Sequence, residues 1–188
     1  LDPKKEYQQA CAIFDAAEAE SIQHVVWSTL EHTMDKMYQD SIPLIHNYKV
    51  AHFDEKGLAN KYAATKKFQL TSLYTSFYYE NLTGVMHINP DENNTRTLCL
   101  PMDDKPLPIV SCRDIGKMAA HCLVNRVYGD VGVASEHLTG HQIADILTKS
   151  TGEPFTYQSV PANIYRTFGF PGCEELGNMF EFKNVHNE

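Results

Sequence analysis

Two periods of apolar residues alternate along the first half of the chain. Tyr7, Ala10, Cys11, Phe14 and Ala17 recur at helical spacing behind an Asp2-Pro3 start, so a helix with one buried face is predicted from there to about Ser21. Ile22–Trp27 follows as an apolar run without alternation, the pattern of a strand covered on both faces, which favours a parallel sheet. Ser28 and Thr29 end it. The helix-to-strand step then repeats. Residues 51–67 predict a second helix that buries Leu58, Tyr62 and the neighbouring alanines, and Phe68–Tyr74 reads as a β-branched and aromatic strand. Two such steps in series are the rhythm of a doubly wound sheet.

Between these units Leu30–Lys49 is a long mixed loop carrying Met34, Met37, Tyr38, Pro43 and His46, placed where a substrate lid would lie. Past Asn81 the turn-rich Asn89–Asn94 breaks the pattern. Thr95–Leu100 and Leu107–Ser111 read as strands, joined through Met102–Pro106 as a hairpin or a crossover. Ser111 caps a helix with Asp114 at its third position, and Ile115, Met118, Ala119 and Cys122 form the buried side. A short strand, Val131–Ser135, precedes a helix capped by Thr139 with Ile143, Ile146 and Leu147 inward. Phe155–Val160 alternates like a half-exposed strand, Pro161 opens a short helix, and Gly169–Gly172 breaks before a last helix, Glu174–Phe182.

Composition narrows the chemistry. A chain of 188 residues fits one compact domain with a sizeable core. Its formal charge of −8, with no basic cluster, argues against a nucleic-acid surface. No run reaches the length of a membrane helix. Five scattered cysteines fit reduced thiols in a cytoplasmic protein, with the nucleus as a second location, and the absence of CxxC or HExxH spacing leaves no metal site to expect. The opening LDPKK, without a starting methionine, reads as part of a longer chain.

The candidate chemistry lies between residues 52 and 81. His52 and Lys56 stand one helical turn apart on one face, and the following strand runs into the turn Tyr78-Tyr79-Glu80-Asn81. HFDEK paired with YYEN resembles the NmrA-like branch of the atypical short-chain dehydrogenase/reductases. So do LPMDDKPLPIVSCRDIGKMAAHCL, LTGHQIADILTKSTGEP and FGFPGCEELGNMFEF. The animal redox-sensor members are the most similar, and the resemblance covers the C-terminal three-fifths of such a protein. It implies an α/β fold: the C-terminal part of a doubly wound, Rossmann-like parallel sheet with a smaller α+β region for substrate or partner. Residues 1–83 would be the second half of the cofactor domain, and 84–188 the smaller region, interleaved with the sheet.

By that resemblance Lys56 binds the nicotinamide ribose, and Tyr78, Tyr79, Glu80 and Asn81 line the nicotinamide end of the cleft. The cofactor would be NADP, with NAD as the alternative. Short-chain dehydrogenases pair a proton-donating tyrosine with this lysine; His52 stands in its place and can itself donate a proton near neutral pH. Thr29, beside Ser28, ends its strand where related dehydrogenases put a substrate-polarising hydroxyl. The ten glycines form no GxGxxG turn, so a pyrophosphate grip would lie outside these residues. The function implied is a redox-sensing regulator acting through a protein partner or a homodimer. The alternatives are a reductase of a small quinone, imine or enone, and a cofactor-free assembly subunit.

Overall fold

A computed structural model describes residues 3–35, 42–83 and 88–186. In chain order the elements are α1 (Pro3–Ala19), β1 (His24–Thr29), α2 (Ala51–Ala63), β2 (Gln69–Thr75), β3 (Phe77–Tyr78), α3 (Tyr79–Thr83), β4 (Arg96–Leu100) and β5 (Leu107–Val110). They continue with α4 (Cys112–Asn125), β6 (Gly129–Val133), β7 (Glu136–Leu138), α5 (Gly140–Thr151), β8 (Phe155–Ser159), α6 (Ala162–Tyr165) and α7 (Cys173–Val185).

The main sheet has the order β1-β2-β6 and is parallel throughout, with Trp27 opposite Ser72 and Leu73 opposite Val131. Helices cover both faces, as the unbroken apolar strands require. On one face Ala10 and Phe14 of α1 pack with Ala59 and Ala63 of α2, and with Trp27 and Phe68. On the other, Cys122 of α4 packs with Leu73, Val110 and Val133. β1 is the outer strand of the three, which leaves its residues half-buried instead of fully enclosed.

The largest core lies in the second region and joins Leu98, Leu100, Ile109, Tyr165, Phe180 and Phe182 to Val50 and Phe53. β4 and β5 do not form the hairpin left open by the sequence. β4 pairs in parallel with β8, while β5 pairs in parallel with β3 and antiparallel with β7. Each strand buries more by crossing to a distant partner: Leu98, Leu100, Ile109 and Val110 are fully buried.

Smaller departures have local causes. α2 stops at Ala63, short of the expected residue 67. Ile143 is buried and Leu147, one turn on, packs beside it, whereas Ile146 lies off that stripe at 44% exposure. The Tyr78-Tyr79-Glu80-Asn81 turn is the end of a two-residue strand and the start of a five-residue helix. In the expected lid, Met34 is exposed and Ile42 is buried, while Met37 and Tyr38 lie outside the described residues. Among the described residues no helix is long and apolar enough to cross a membrane.

Candidate functional site

The site grows from the start of α2. Val50, its cap residue, offers no side chain to the first-turn amides. Glu175 of α7 supplies the acceptor instead: its Oε1 takes the backbone N–H of His52 at 2.9 Å and sits 2.7 Å from His52 Nδ1. This contact holds the Glu175 carboxyl below its ordinary range, the His52 side chain being the main cause. Further along the first turns, buried Asp54 accepts from Thr33 Oγ1 at 2.7 Å, and buried Glu55 accepts from Tyr48 at 2.5 Å. The helix start is thus tied to α7 and to the preceding loop before any ligand is considered.

Beside it lies a hollow of about 240 Å³. Its walls are His52, Phe53 and Lys56 of α2, residues 75–78 with Asn81, and Met179 and Lys183 of α7, closed by Leu30 and Leu107. Parallel strands β1 and β2 both end at this rim, the place where open α/β sheets bind ligands. Two ammonium groups and an imidazole line it, and no carboxylate does. Its electrostatics therefore suit an electron-rich or anionic group.

Lys56 is about a quarter exposed, and Glu6 of α1 holds its Nζ at 2.9 Å. The same ammonium lies 4.9 Å from the Trp27 ring centre and 3.5 Å from the Ser28 carbonyl. Lys183 enters from the opposite wall, 3.1 Å from Glu31 Oε1 and 5.2 Å from the Phe53 ring centre.

The structure brings together His52, Lys56, Tyr78 and Asn81, four of the residues singled out in the sequence. The side chains of Tyr79 and Glu80 go elsewhere. Tyr79 donates to Glu136 Oε2 at 2.5 Å, and burial, reinforced by that carboxylate, pushes its hydroxyl pKa up. Glu80 accepts the Cys112 N–H at 2.9 Å at the start of α4, which pulls its carboxyl pKa down. Thr29 corrects its expected role as a substrate-polarising hydroxyl. It is fully buried and donates to Asn60 Oδ1 at 2.7 Å, so its hydroxyl serves the packing of β1 on α2 and does not line the hollow.

Sequence reasoning missed Met179 and Lys183. Their signal is the i, i+4, i+8 series Glu175, Met179, Lys183, which sets all three on one face of α7. Among the described residues no group of three His, Cys, Asp or Glu side chains is arranged to hold a metal ion.

The hollow is smaller than the roughly 300–1,000 Å³ of drug-sized sites, so it has room for a nicotinamide ring and its ribose and not for a whole dinucleotide. The residues present fit that end of the cofactor: a cation for hydroxyl oxygens, an amide side chain, and the rings of Phe53 and Tyr78 as walls.

Comparison with known proteins gives the same direction. The model of the NmrA-like family matches residues 2–188. An NmrA-like family domain-containing oxidoreductase of Aspergillus flavus is 26% identical, over 96% of this chain and 57% of that protein. Among solved structures, NmrA, a negative transcriptional regulator in complex with NADP, superposes with a TM-score of 0.75 at 18% identity, over 96% of this chain and 57% of that one. The NADPH-dependent quinone oxidoreductase QOR2 of Escherichia coli, complexed with NADPH, superposes at 0.66 with 22% identity, over 94% and 59%. The chain thus spans somewhat under three-fifths of the length of these relatives, and at such identities the structural likeness is one of fold.

Proposed function

The chain belongs to the NmrA-like family, and from that premise we propose that it binds a nicotinamide dinucleotide with the nicotinamide–ribose end in the hollow beside Lys56. One observation carries the reading: His52, Lys56, Tyr78 and Asn81, from separate stretches of sequence, meet in one ring- and ribose-sized space free of carboxylates. In this reading the Lys56 ammonium leaves Glu6 to donate to the ribose hydroxyls, and the Asn81 amide and the Phe53 and Tyr78 rings orient the nicotinamide. The bound cofactor supplies a hydride donor or acceptor, and the protein supplies position and field. NADP is the first choice and NAD the alternative, since the NmrA regulator is known in complex with each.

The function we infer is a redox-sensing regulator whose α7 wall changes with the cofactor's state and alters its contact with a protein partner or a second copy. Support comes from α7 itself, which touches the hollow through Met179 and Lys183 and ties to α2 through Glu175. A reductase is the second reading, favoured by a wider hollow on the far side of Lys183.

Titration of the protein with NADP⁺ and NADPH, as wild type and Lys56→Ala, tests the cofactor site. Loss of a charge-assisted hydrogen bond should weaken binding about tenfold or more; equal affinities would remove Lys56 from the site. A cofactor-dependent shift in sedimentation separates the regulator from a protein that merely binds. Steady NADPH oxidation with a panel of quinones would move the assignment to the reductase.

A further inference from the structure

The wider hollow has about 680 Å³, within the usual range for a small-molecule site. It shares Thr75, Ser76 and Lys183 with the smaller one, so the two meet at the Lys183 side chain. Lys183 donates to Glu31 Oε1 at 3.1 Å, which leaves two of its three N–H groups for other acceptors. Glu31 Oε2 is buried with no hydrogen-bond partner among the described residues. A donor and an acceptor therefore stand side by side at the joint, each with unused capacity. Buried carboxylate oxygens ordinarily have partners, so the orphan marks a place where a donor is missing. The Glu31 side chain is a quarter exposed, and rotation of its carboxylate turns Oε2 toward the hollow.

We propose that this hollow is a second subsite for a small, uncharged carbonyl compound bearing a hydroxyl beside the carbonyl, the carbonyl accepting from Lys183 Nζ and the hydroxyl donating to Glu31 Oε2. The charges select against ions of either sign. Asp130 and Glu31 on the wall repel a carboxylate, and Lys183 repels an ammonium. Pro108, Val133 and Ala134 offer an apolar surface for the remainder of such a molecule. Tyr74 is a further donor, because burial, with Asp130 and Glu31 close by, keeps its hydroxyl protonated. That this subsite faces a nicotinamide ring rests on the cofactor reading above; the subsite itself does not.

Benzoin and deoxybenzoin form a matched pair of probes, alike except for the hydroxyl beside the carbonyl. Each is titrated calorimetrically into the protein with and without saturating NADP⁺, for wild type, Glu31→Gln and Lys183→Met. Benzoin should bind about tenfold or more tightly than deoxybenzoin. Glu31→Gln should shrink that ratio several-fold, and Lys183→Met should weaken both probes. Equal binding of the two, no binding of either, a ratio unchanged in Glu31→Gln, or displacement of benzoin by NADP⁺ would overturn the subsite. Should Lys183→Met not fold, the wild-type ratio and Glu31→Gln decide. Wild type that fails to bind NADP⁺ but still prefers benzoin would sink the cofactor reading and leave the subsite standing.

Discussion

Lys56 is the residue on which the cofactor site turns, and its present partner is a carboxylate. Glu6 holds the ammonium at 2.9 Å with both side chains partly exposed, a class of ion pair worth about 0.2–1 kcal/mol. A ribose must replace Glu6 or share the ammonium with it. Glu6→Gln should therefore raise NADP⁺ affinity by up to about fivefold, measured by the same titration. A weaker complex would mean that Glu6 assists the ligand. The next residue shows a different constraint. A Cβ on Gly57 would stand 2.4 Å from His32 Cβ and 2.6 Å from that residue's backbone, inside any real contact distance. Alanine gains about 1 kcal/mol in helix propensity over glycine, but a backbone clash costs about 1–3 kcal/mol or more. The clash wins, so Gly57→Ala should lower unfolding free energy in urea by about 1 kcal/mol or more and loosen Lys56 beside it.

At the scale of elements, α7 is the part least legible in the sequence. Its helical period and the glycine break before it are plain, whereas its role is not, because its partners lie far away along the chain. His52 is 123 residues from Glu175, and Glu31 is 152 residues from Lys183. Local pattern carries no record of such pairs. The same limit explains β5, whose antiparallel partner β7 is three polar residues with no strand signal of their own. By contrast the caps at Ser111 and Thr139 were readable, since each is closed within three residues, Thr139 with Gln142 as a full capping box.

Two predictions belong to α7. Asn178 is fully buried, donates to the carbonyls of Pro43 and Lys49 and accepts from Arg166, fastening the 42–50 loop to the helix. Asn178→Ala strands all three partners and should cost about 2–3 kcal/mol in denaturant unfolding; a loss under about 1 kcal/mol would mean that water takes the place of the amide. Glu175 titrates lower in the folded protein than its ordinary 4.5. Its contribution is then complete above that value and is lost as pH falls through the lower, folded value. The stability gap between wild type and Glu175→Gln should stay level above pH 4.5 and close below it. A gap that widens in acid would reverse the assignment.

For the whole molecule, the parallel sheet was legible because two αβ steps in series allow few other arrangements, and β6 completes it where the sequence expected a short strand. Parallel pairing brings the ends of β1 and β2 to one rim, so residues 28–31 and 75–78 share a neighbourhood although more than forty positions separate them. That rim is locally cationic through Lys56 and Lys183, on a chain whose formal net charge is −8. An anionic dinucleotide approaching from solution meets repulsion at long range and attraction only at the hollow. Salt screens the first more than the second, since the Debye length falls from about 30 Å at 0.01 M to about 8 Å at 0.15 M. The association rate constant for NADP⁺ in stopped-flow should accordingly rise with salt across that range, the reverse of a steered encounter. A rate that falls instead would mean that the field of the two lysines reaches well beyond the hollow and outweighs the acidic remainder of the surface.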